Sequence, residues 1–379
     1  MPFETHSPVP ITEPRPPTPP PAGPLFEADF GRFSAIVVTN GLLSLPTLGF
    51  YRFWGKTRLR RYLWSHISFL GTPLEYSGQA KELLLGFLLA LGFLLPIVLI
   101  PVAVGVSGLP RNVGIAADVL QAVIFLYLIQ VAIFRARRYR LSRTQWRGIR
   151  AGQSGSSWDY GIKAMAWGFF ALITLGLGYA VLRTRLQAYR TQNTWFGDRC
   201  FEFEGRAGEL FWTWFLAWLL LLPTFGLSHV WYRVREFRYF ASKTRVGSLT
   251  FRSGLKSGTP ILLTLFFWLV IGFIGAIIYN VAIATLGQFG VTEWLNQADP
   301  TQIEEATPII TAINFLIFFL FVLVYGMTRL ILLVFPILKA LCRSLVVEGQ
   351  EDWAAIAQSE QFRPGRGEGL ADSLDVGDF

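Results

Sequence analysis

Seven apolar runs follow one another along the chain, and they fall into two groups by length. A helix needs about 20 apolar residues to cross the hydrocarbon core of a bilayer. Four runs meet that length: 83–106, 113–134, 260–286 and 309–338. Three are marginal and interrupted by Gly or Pro: 33–50, 162–182 and 210–227. The pattern predicts a polytopic helical membrane protein, an all-α fold.

Basic clusters follow several of these runs and predict the topology. They occupy 52–61, 135–150, 183–190, 233–256 and 339–343. Lys and Arg concentrate on the cytoplasmic side of membrane proteins. If only the four long runs cross, all five clusters and both termini are cytoplasmic, and 287–308, which has no Lys or Arg, is outside. The three short runs are then re-entrant or interfacial. The alternative is seven crossings with one or two basic loops outside.

The stretch 47–78 recurs further along the chain, which predicts internal pseudo-repeats. Thr47, Gly49, Arg58 and Tyr62 recur at an offset of 127 and again at an offset of 177. The matching residues are Thr174, Gly176, Arg185 and Tyr189, then Thr224, Gly226, Arg235 and Tyr239. A shorter copy at an offset of 77 includes Arg135 and Tyr139. Each full copy has an apolar run ending in Thr-X-Gly, a basic aromatic helix, and a pair of short alternating runs around a Gly.

The alternating runs predict short cytoplasmic β-hairpins. In 194–205, Phe201 and Phe203 fall on one face of a strand, with Glu202 and Glu204 on the other. An isolated hairpin is marginally stable in water. We therefore predict that four segments pair in one sheet or small barrel, burying Tyr76 and Phe251 with the two phenylalanines. These segments surround Gly71, Gly148, Gly197 and Gly247.

Composition divides the chain into three parts and limits the classes of protein. Residues 1–25 are a Pro-rich tail expected to be disordered, residues 26–343 are the integral membrane domain, and residues 344–379 are an acidic cytoplasmic tail. The chain is 52% hydrophobic and only 16% charged, against about a quarter charged in soluble domains. The net charge of +9 is typical of positive cytoplasmic loops and does not indicate nucleic acid binding.

No residue pattern indicates a reaction. The chain has no metalloprotease, nucleophile-elbow, Walker or dinucleotide-binding motif in context, and Cys200 and Cys342 have no zinc spacing. Glu75 and Glu202 occupy equivalent positions, where turn or cross-strand partners of basic residues are the favoured interpretation. We therefore expect a protein that is not an enzyme, with no cofactor, no metal and no catalytic residue.

Two groups of polar residues are candidates for contact with lipid or with a pathway. Long cations beside aromatic residues suit the boundary between lipid and water, where anionic lipid attracts them. The interface candidates are Lys56, Arg58, Arg183, Arg185, Arg233 and Arg235. Polar residues within crossings are costly and often functional; these candidates are Asn280, Asn314 and Arg329. Arg329 either snorkels at the cytoplasmic edge or lines a polar pathway.

A dense run of residues resembles a known family. The segments are Asn40-Gly41-Leu42-Leu43, Thr47-Leu48-Gly49-Phe50-Tyr51, Trp54 to Tyr62, and Glu75-Tyr76. They are similar to the YjgN-like family of bacterial inner-membrane proteins, over roughly residues 26 to 343. The family usually has Ala at the position of Gly55. The resemblance implies a multi-pass protein of the bacterial inner membrane and supplies no activity and no catalytic residues.

Two functions follow as hypotheses. Internal repeats with interrupted membrane segments recur in transporters, so the first is transport, a channel or lipid handling along a path between the broken segments. This is an analogy at the level of the fold. The alternative is a non-catalytic scaffold that binds anionic lipid and a cytoplasmic protein partner of unknown identity. In both, the expected partners are membrane lipids, and no nucleic acid is involved.

Overall fold

The computed structural model describes residues 23–288, 300–349, 351, 353, 355–359 and 372. The predicted outer loop 287–308 lies partly outside the described residues. The helices are α1 (Phe30–Ser44), α2 (Arg52–Ser65), α3 (Ala80–Val106), α4 (Arg111–Ser142), α5 (Ser157–Ile173), α6 (Tyr179–Gln192), α7 (Ala207–Leu219), α8 (Leu227–Ser242), α9 (Gly258–Gln288), α10 (Pro300–Arg329) and α11 (Phe335–Ser344). A π-helical turn, Leu330–Val334, joins α10 to α11.

Short strands separate the helix pairs. They are β1 (Leu25–Phe26), β2 (Ile67–Phe69), β3 (Thr72–Pro73), β4 (Glu75–Tyr76), β5 (Thr144–Trp146), β6 (Ile149–Gln153), β7 (Thr194–Phe196), β8 (Arg199–Phe203), β9 (Thr244–Val246), β10 (Leu249–Ser253) and β11 (Leu345–Glu348). Within the described residues, the pairs are α1–α2, α3–α4, α5–α6, α7–α8 and α9 with α10–α11. A strand precedes the first helix of each pair, and another strand follows its second helix.

Two of the five pairs are long. Four helices are long and apolar enough to cross a membrane: Ala80–Val106, Arg111–Ser142, Gly258–Thr285 and Ile310–Ser344. They coincide with the four long runs predicted from sequence. The first helices of the short pairs, α1, α5 and α7, have 15, 17 and 13 residues. At 1.5 Å per residue they are about 20–26 Å long, less than the roughly 30 Å of a bilayer core.

The strands form a larger sheet than separate hairpins. Eight strands pair antiparallel in the order β11-β10-β9-β8-β7-β6-β5-β4. Three of the four predicted hairpins, around Gly148, Gly197 and Gly247, are therefore neighbours in one sheet. The prediction was wrong for the hairpin around Gly71, which pairs with β1 in a separate three-stranded sheet.

The turn glycines adopt the backbone conformation that hairpins require. Gly71, Gly148, Gly197 and Gly247 all have φ between +55° and +76°. Leu70 and Arg147, which precede the first two, also have positive φ, as type I′ turns demand. In the other two hairpins Gly is the first central residue, as in type II′ turns.

The corners of the three short pairs share one hydrogen-bond arrangement. In the corner between α5 and α6, the Thr174 hydroxyl donates to the Phe170 carbonyl at 2.9 Å. The same hydroxyl accepts from the Gly178 N–H at 2.8 Å. Thr47 and Thr224 make the matching bonds in their corners. Each Thr thus satisfies backbone groups where two helices end, which otherwise lack partners.

The second helix of each of these pairs is tied to the start of the first by a tyrosine. The hydroxyl of Tyr62 donates to the Asp29 carbonyl at 2.9 Å. Tyr189 and Tyr239 do the same to Ser156 and Arg206, each just before the first helix of its pair. These contacts close each helix pair at its sheet end.

The segment after the last strand packs against the sheet. β11 pairs with β10, so the sheet continues past the predicted boundary at residue 343. The Trp353 ring lies 5.0 Å from that of Trp146 and 5.7 Å from that of Phe69. Phe69, Phe201, Phe251 and Trp353 pack around a buried cluster in the sheet. The separate first hairpin therefore still contributes Phe69 to the core of the larger sheet.

Candidate functional site

A cavity of about 610 Å³ lies between the first helix pair and α10. Its walls are mostly apolar, and α10 contributes Phe319, Val322, Leu323 and Gly326. The distance along α10 from Phe319 to Arg329 is about 15 Å at the helical rise. Ligand pockets commonly enclose about 300–1,000 Å³, so the cavity is large enough for a small molecule or part of a lipid.

Three cations and one amide line the same cavity. Arg52 and Lys56 come from α2, Arg329 from α10, and Asn40 from α1. The Arg52 guanidinium lies 4.9 Å from the centres of the Phe53 and Phe87 rings, in cation–π contact. Cationic residues from two different elements therefore line one apolar space, an arrangement suited to an anionic amphiphile.

Asn40 and Gly41 lie where α1 contacts the other two walls of the cavity, α2 and α10. A Cβ on Gly41 would lie 2.3 Å from the Met327 sulfur, so a larger residue there would require the Met327 side chain to move. The Asn40 amide donates to the Gly55 carbonyl at 3.2 Å and joins α1 to α2. Asn40 Oδ1 is buried and accepts no hydrogen bond among the described residues.

A second charged site adjoins the cavity at Lys56. Its main cation is Arg60, which donates to both carboxylate oxygens of Asp372, with Nη2 at 3.1 Å from Oδ1. Arg140 Nη1 lies 3.4 Å from the same Oδ1, and the Lys56 ammonium donates to the Asp372 carbonyl at 2.7 Å. The Arg60 and Asp372 side chains are each 1% exposed. Burial opposes ionisation of Asp372, but the hydrogen bonds and charge of Arg60 outweigh it and lower the pKa of the carboxyl.

A third charged group lies between α6 and α8. Glu236 is 2% exposed and accepts two hydrogen bonds from Arg183, at 2.9 and 3.1 Å. Arg233 also donates to Glu236. Burial lowers the pKa of His229 beside this group, and the charge of Arg233 lowers it further. Glu236 therefore holds two arginines, from different helices, in place.

Arginines without a carboxylate partner lie between these two groups. Arg137 donates to the Arg190 carbonyl at 3.3 Å and to Thr194 Oγ1 at 2.8 Å. In the part of the chain that the structure describes, neither Arg137 nor Arg190 has an ion pair. Burial lowers the pKa of Arg190, and the positive charges of Arg183 and Arg233 act in the same direction. The buried charged groups around α2, α4, α6 and α8 thus include more arginines than carboxylates.

The predicted interface residues separate into two groups. Arg58, Arg185 and Arg235 are exposed, and none has an ion pair among the described residues. Arg185 and Arg235 instead lie over Trp167 and Trp231. The other three candidates face charged groups of the chain, Lys56 towards Asp372 and both Arg183 and Arg233 towards Glu236.

The predicted intramembrane residues also differ. Arg329 lines the mostly apolar cavity. Asn280 donates to the Ala276 carbonyl of its own helix, and Asn314 is exposed. Sequence reasoning missed Asn40, Arg60, Arg140, Glu236 and Asp372. Glu236 had a usable signal, because it is the one acidic residue of the otherwise basic helix α8.

Fold and site together define a mostly helical protein with four candidate membrane-spanning helices, an eight-stranded antiparallel sheet and cationic residues that line a cavity. The family model described as "Bacterial protein of unknown function (DUF898)" matches residues 24–230 and 201–351. The chain belongs to that family, which is the YjgN-like family, and the resemblance seen in the sequence is confirmed. No curated protein matches the chain, and no solved structure matches it.

Proposed function

We propose that this protein binds an anionic membrane lipid in the cavity between α1, α2 and α10. The observation that carries the proposal is the combination of an apolar wall on α10 with Arg52, Lys56 and Arg329 around one space. Acyl chains would lie along Phe319, Val322 and Leu323. The headgroup would lie near Lys56 and Arg329.

The headgroup chemistry follows from the polar groups in the cavity. Two cations favour a phosphoryl or carboxyl group through charge-assisted hydrogen bonds. Asn40 lines the same cavity and adds a neutral polar side chain, which favours a headgroup that carries a hydroxyl. An anionic phospholipid with a hydroxylated headgroup supplies both.

The proposed setting is the bacterial inner membrane, crossed four times. Each helix pair returns to its strands, so four crossings by the long helices leave every strand on one side. Positive charge favours the cytoplasm for that side. The short pairs would enter the membrane without crossing it. The side chains at their corners, Leu48, Leu175 and Phe225, are 78–87% exposed and suit lipid contact.

If the short pairs enter the membrane, the backbone N–H and C=O groups at their corners need hydrogen-bond partners. Irregular backbone at membrane depth is tolerated where its polar groups have partners. The Thr hydroxyl bonds at the three corners supply such partners. The recurrence of the same corner supports an origin by internal duplication.

A cavity-filling substitution tests lipid binding. Gly326 lines the cavity, and a Cβ there meets nothing within 4 Å, so Gly326→Leu fits the helix while its side chain occupies the space. We expect at least a tenfold loss of anionic lipid retained by the purified protein, measured by native mass spectrometry after exchange into detergent with added phosphatidylglycerol.

Gly272→Leu is the matched control. Gly272 lies in α9, a Cβ there also meets nothing within 4 Å, and the residue does not line the cavity. It should retain lipid like the parent protein. Equal retention by both Leu variants, with the parent binding lipid, would mean that lipid binds elsewhere.

Lipid handling and scaffolding both use this binding step, and a flux measurement separates them. If the protein handles lipid, it should accelerate the movement of labelled anionic lipid in liposomes. The Gly326→Leu variant should not accelerate this movement. A scaffold binds the lipid without accelerating its movement.

A further inference from the structure

Asp372 occupies a site built for an anion. Its carboxylate receives the planar Arg60 guanidinium on both oxygens and Arg140 on one of them. Two-pronged donation by Arg is the geometry used for carboxylate and phosphate recognition. Tyr76 closes the site, since its hydroxyl accepts from Arg60 at 3.2 Å, and burial raises the pKa of that hydroxyl.

The site draws its cations from two helices and its anion from a remote part of the chain. Arg60 lies on α2 and Arg140 on α4, and both contact the Asp372 carboxylate. Asp372 is 312 positions from Arg60 along the chain. Asp372 therefore supplies these helices with a carboxylate from a distant position in the sequence.

Lys56 joins this site to the cavity. The Lys56 side chain lines the cavity wall, and its ammonium donates to the Asp372 carbonyl at 2.7 Å. Any anionic headgroup that uses Lys56 in the cavity would compete with the tail for the same ammonium. Arg60 is one helical turn further along α2, on the same side of the helix.

Removal of Asp372 would leave a charge imbalance. Arg60 is 1% exposed, and a buried cation without a partner is strongly destabilising. When Asp372 leaves, another anion has to take its position or water has to enter. A phosphoryl group fits the geometry, because Arg binds phosphate and carboxylate with the same fork.

We propose that Lys56, Arg60 and Arg140 form a phosphoryl-anion site, and that Asp372 occupies it as an internal competitor of the lipid headgroup bound in the adjoining cavity. This inference rests on the proposed lipid binding and adds its regulation. The tail lowers the affinity of the cavity for anionic lipid by holding Lys56 and Arg60.

Asp372→Asn tests the competition. The Asn side chain is similar in shape but has no charge, so it binds the arginines more weakly. If the tail occupies the site nine-tenths of the time, its release raises the apparent affinity for lipid about tenfold. The measurement is titration of the purified full-length protein with a fluorescent phosphatidylglycerol analogue in detergent.

Asp378→Asn is the matched control, because it removes one carboxylate from the same tail. It should leave the affinity unchanged. A gain with Asp372→Asn alone supports the site. Equal gains with both variants would overturn it, since the tail would then act only through its net charge.

Two further outcomes separate the proposals. A parent protein that binds no anionic lipid contradicts the proposed function. A parent that binds lipid, with Asp372→Asn unchanged, contradicts the internal competitor alone. Free glycerol phosphate, added to the Asp372→Asn variant, tests which anion the site binds. Displacement of the lipid analogue by glycerol phosphate supports a headgroup at this site. If adding Arg60→Gln to Asp372→Asn abolishes the gain in lipid affinity, Arg60 holds the headgroup.

Discussion

Glu236→Leu is expected to lower the stability of the protein by about 3–5 kcal/mol, the usual cost of breaking a buried ion pair. The substitution leaves Arg183 and Arg233 facing each other without a carboxylate between them. Leu is the appropriate replacement, because the equivalent positions in the other two basic helices are Leu59 and Leu186. The measurement is thermal unfolding of the detergent-solubilised protein, followed by loss of the monodisperse peak on size exclusion.

A double variant separates charge from packing. Arg183→Leu combined with Glu236→Leu removes two of the three charges and leaves Arg233, whose side chain is 36% exposed. It should recover much of the loss, since replacing both members of a buried pair with apolar residues is often near neutral. Glu204→Gln is the surface control, because Glu204 is 54% exposed in its pair with Arg245, and exposed pairs contribute little. A single variant as stable as the parent would show that Glu236 does not hold α6 and α8 together.

Gly197→Val is expected to destabilise the whole eight-stranded sheet. Gly197 has φ of +57°, and a non-Gly residue in this region costs roughly 1–2 kcal/mol. A Cβ at Gly197 would also lie 2.5 Å from the Ala357 carbonyl oxygen. Its hairpin is in the middle of the sheet, so we expect faster hydrogen exchange in β5–β6 and β9–β10 as well as in β7–β8.

The control for this variant is Gly208→Val in α7. Gly208 is helical, its φ is not positive, and a Cβ there meets nothing within 4 Å. It should leave exchange in the sheet unchanged. If Gly197→Val increases exchange only within 194–203, the hairpins are independent and the sheet is not cooperative.

The helical part of the fold could be predicted from run length, because a crossing needs a fixed number of apolar residues. The four long runs match the four candidate spans. The Gly and Pro interruptions predicted breaks in the three short runs but not the Thr hydroxyl bonds at the corners. Alternation and turn glycines predicted the strands but not every pairing.

The first hairpin shows where strand prediction failed. β3 contains Pro73, which has no N–H to extend a ladder. The chain instead begins a new strand, β4, two residues later, and this strand pairs with β5. The hairpin around Gly71 pairs on its other side with β1, which follows a Pro-rich stretch with no strand signal.

The charged sites could be predicted only in part. The cations were visible as repeated basic positions, and Arg329 as a polar residue in an apolar run. Their partners depend on contacts between distant segments, such as Arg60 with Asp372, and no local pattern encodes such a contact. Asp372 lies among several acidic residues of the tail, and nothing in the sequence distinguishes it from them.

The proposed topology places the sheet and the cation sites together on the cytoplasmic side. Single cysteines test it in a background with Cys200→Ser and Cys342→Ser. Ser107→Cys lies in the turn between α3 and α4, and Asp198→Cys in an exposed hairpin turn. With a membrane-impermeant maleimide on intact spheroplasts, we predict labelling of Ser107→Cys at once and of Asp198→Cys only after lysis. Labelling of Asp198→Cys in intact spheroplasts would contradict this topology.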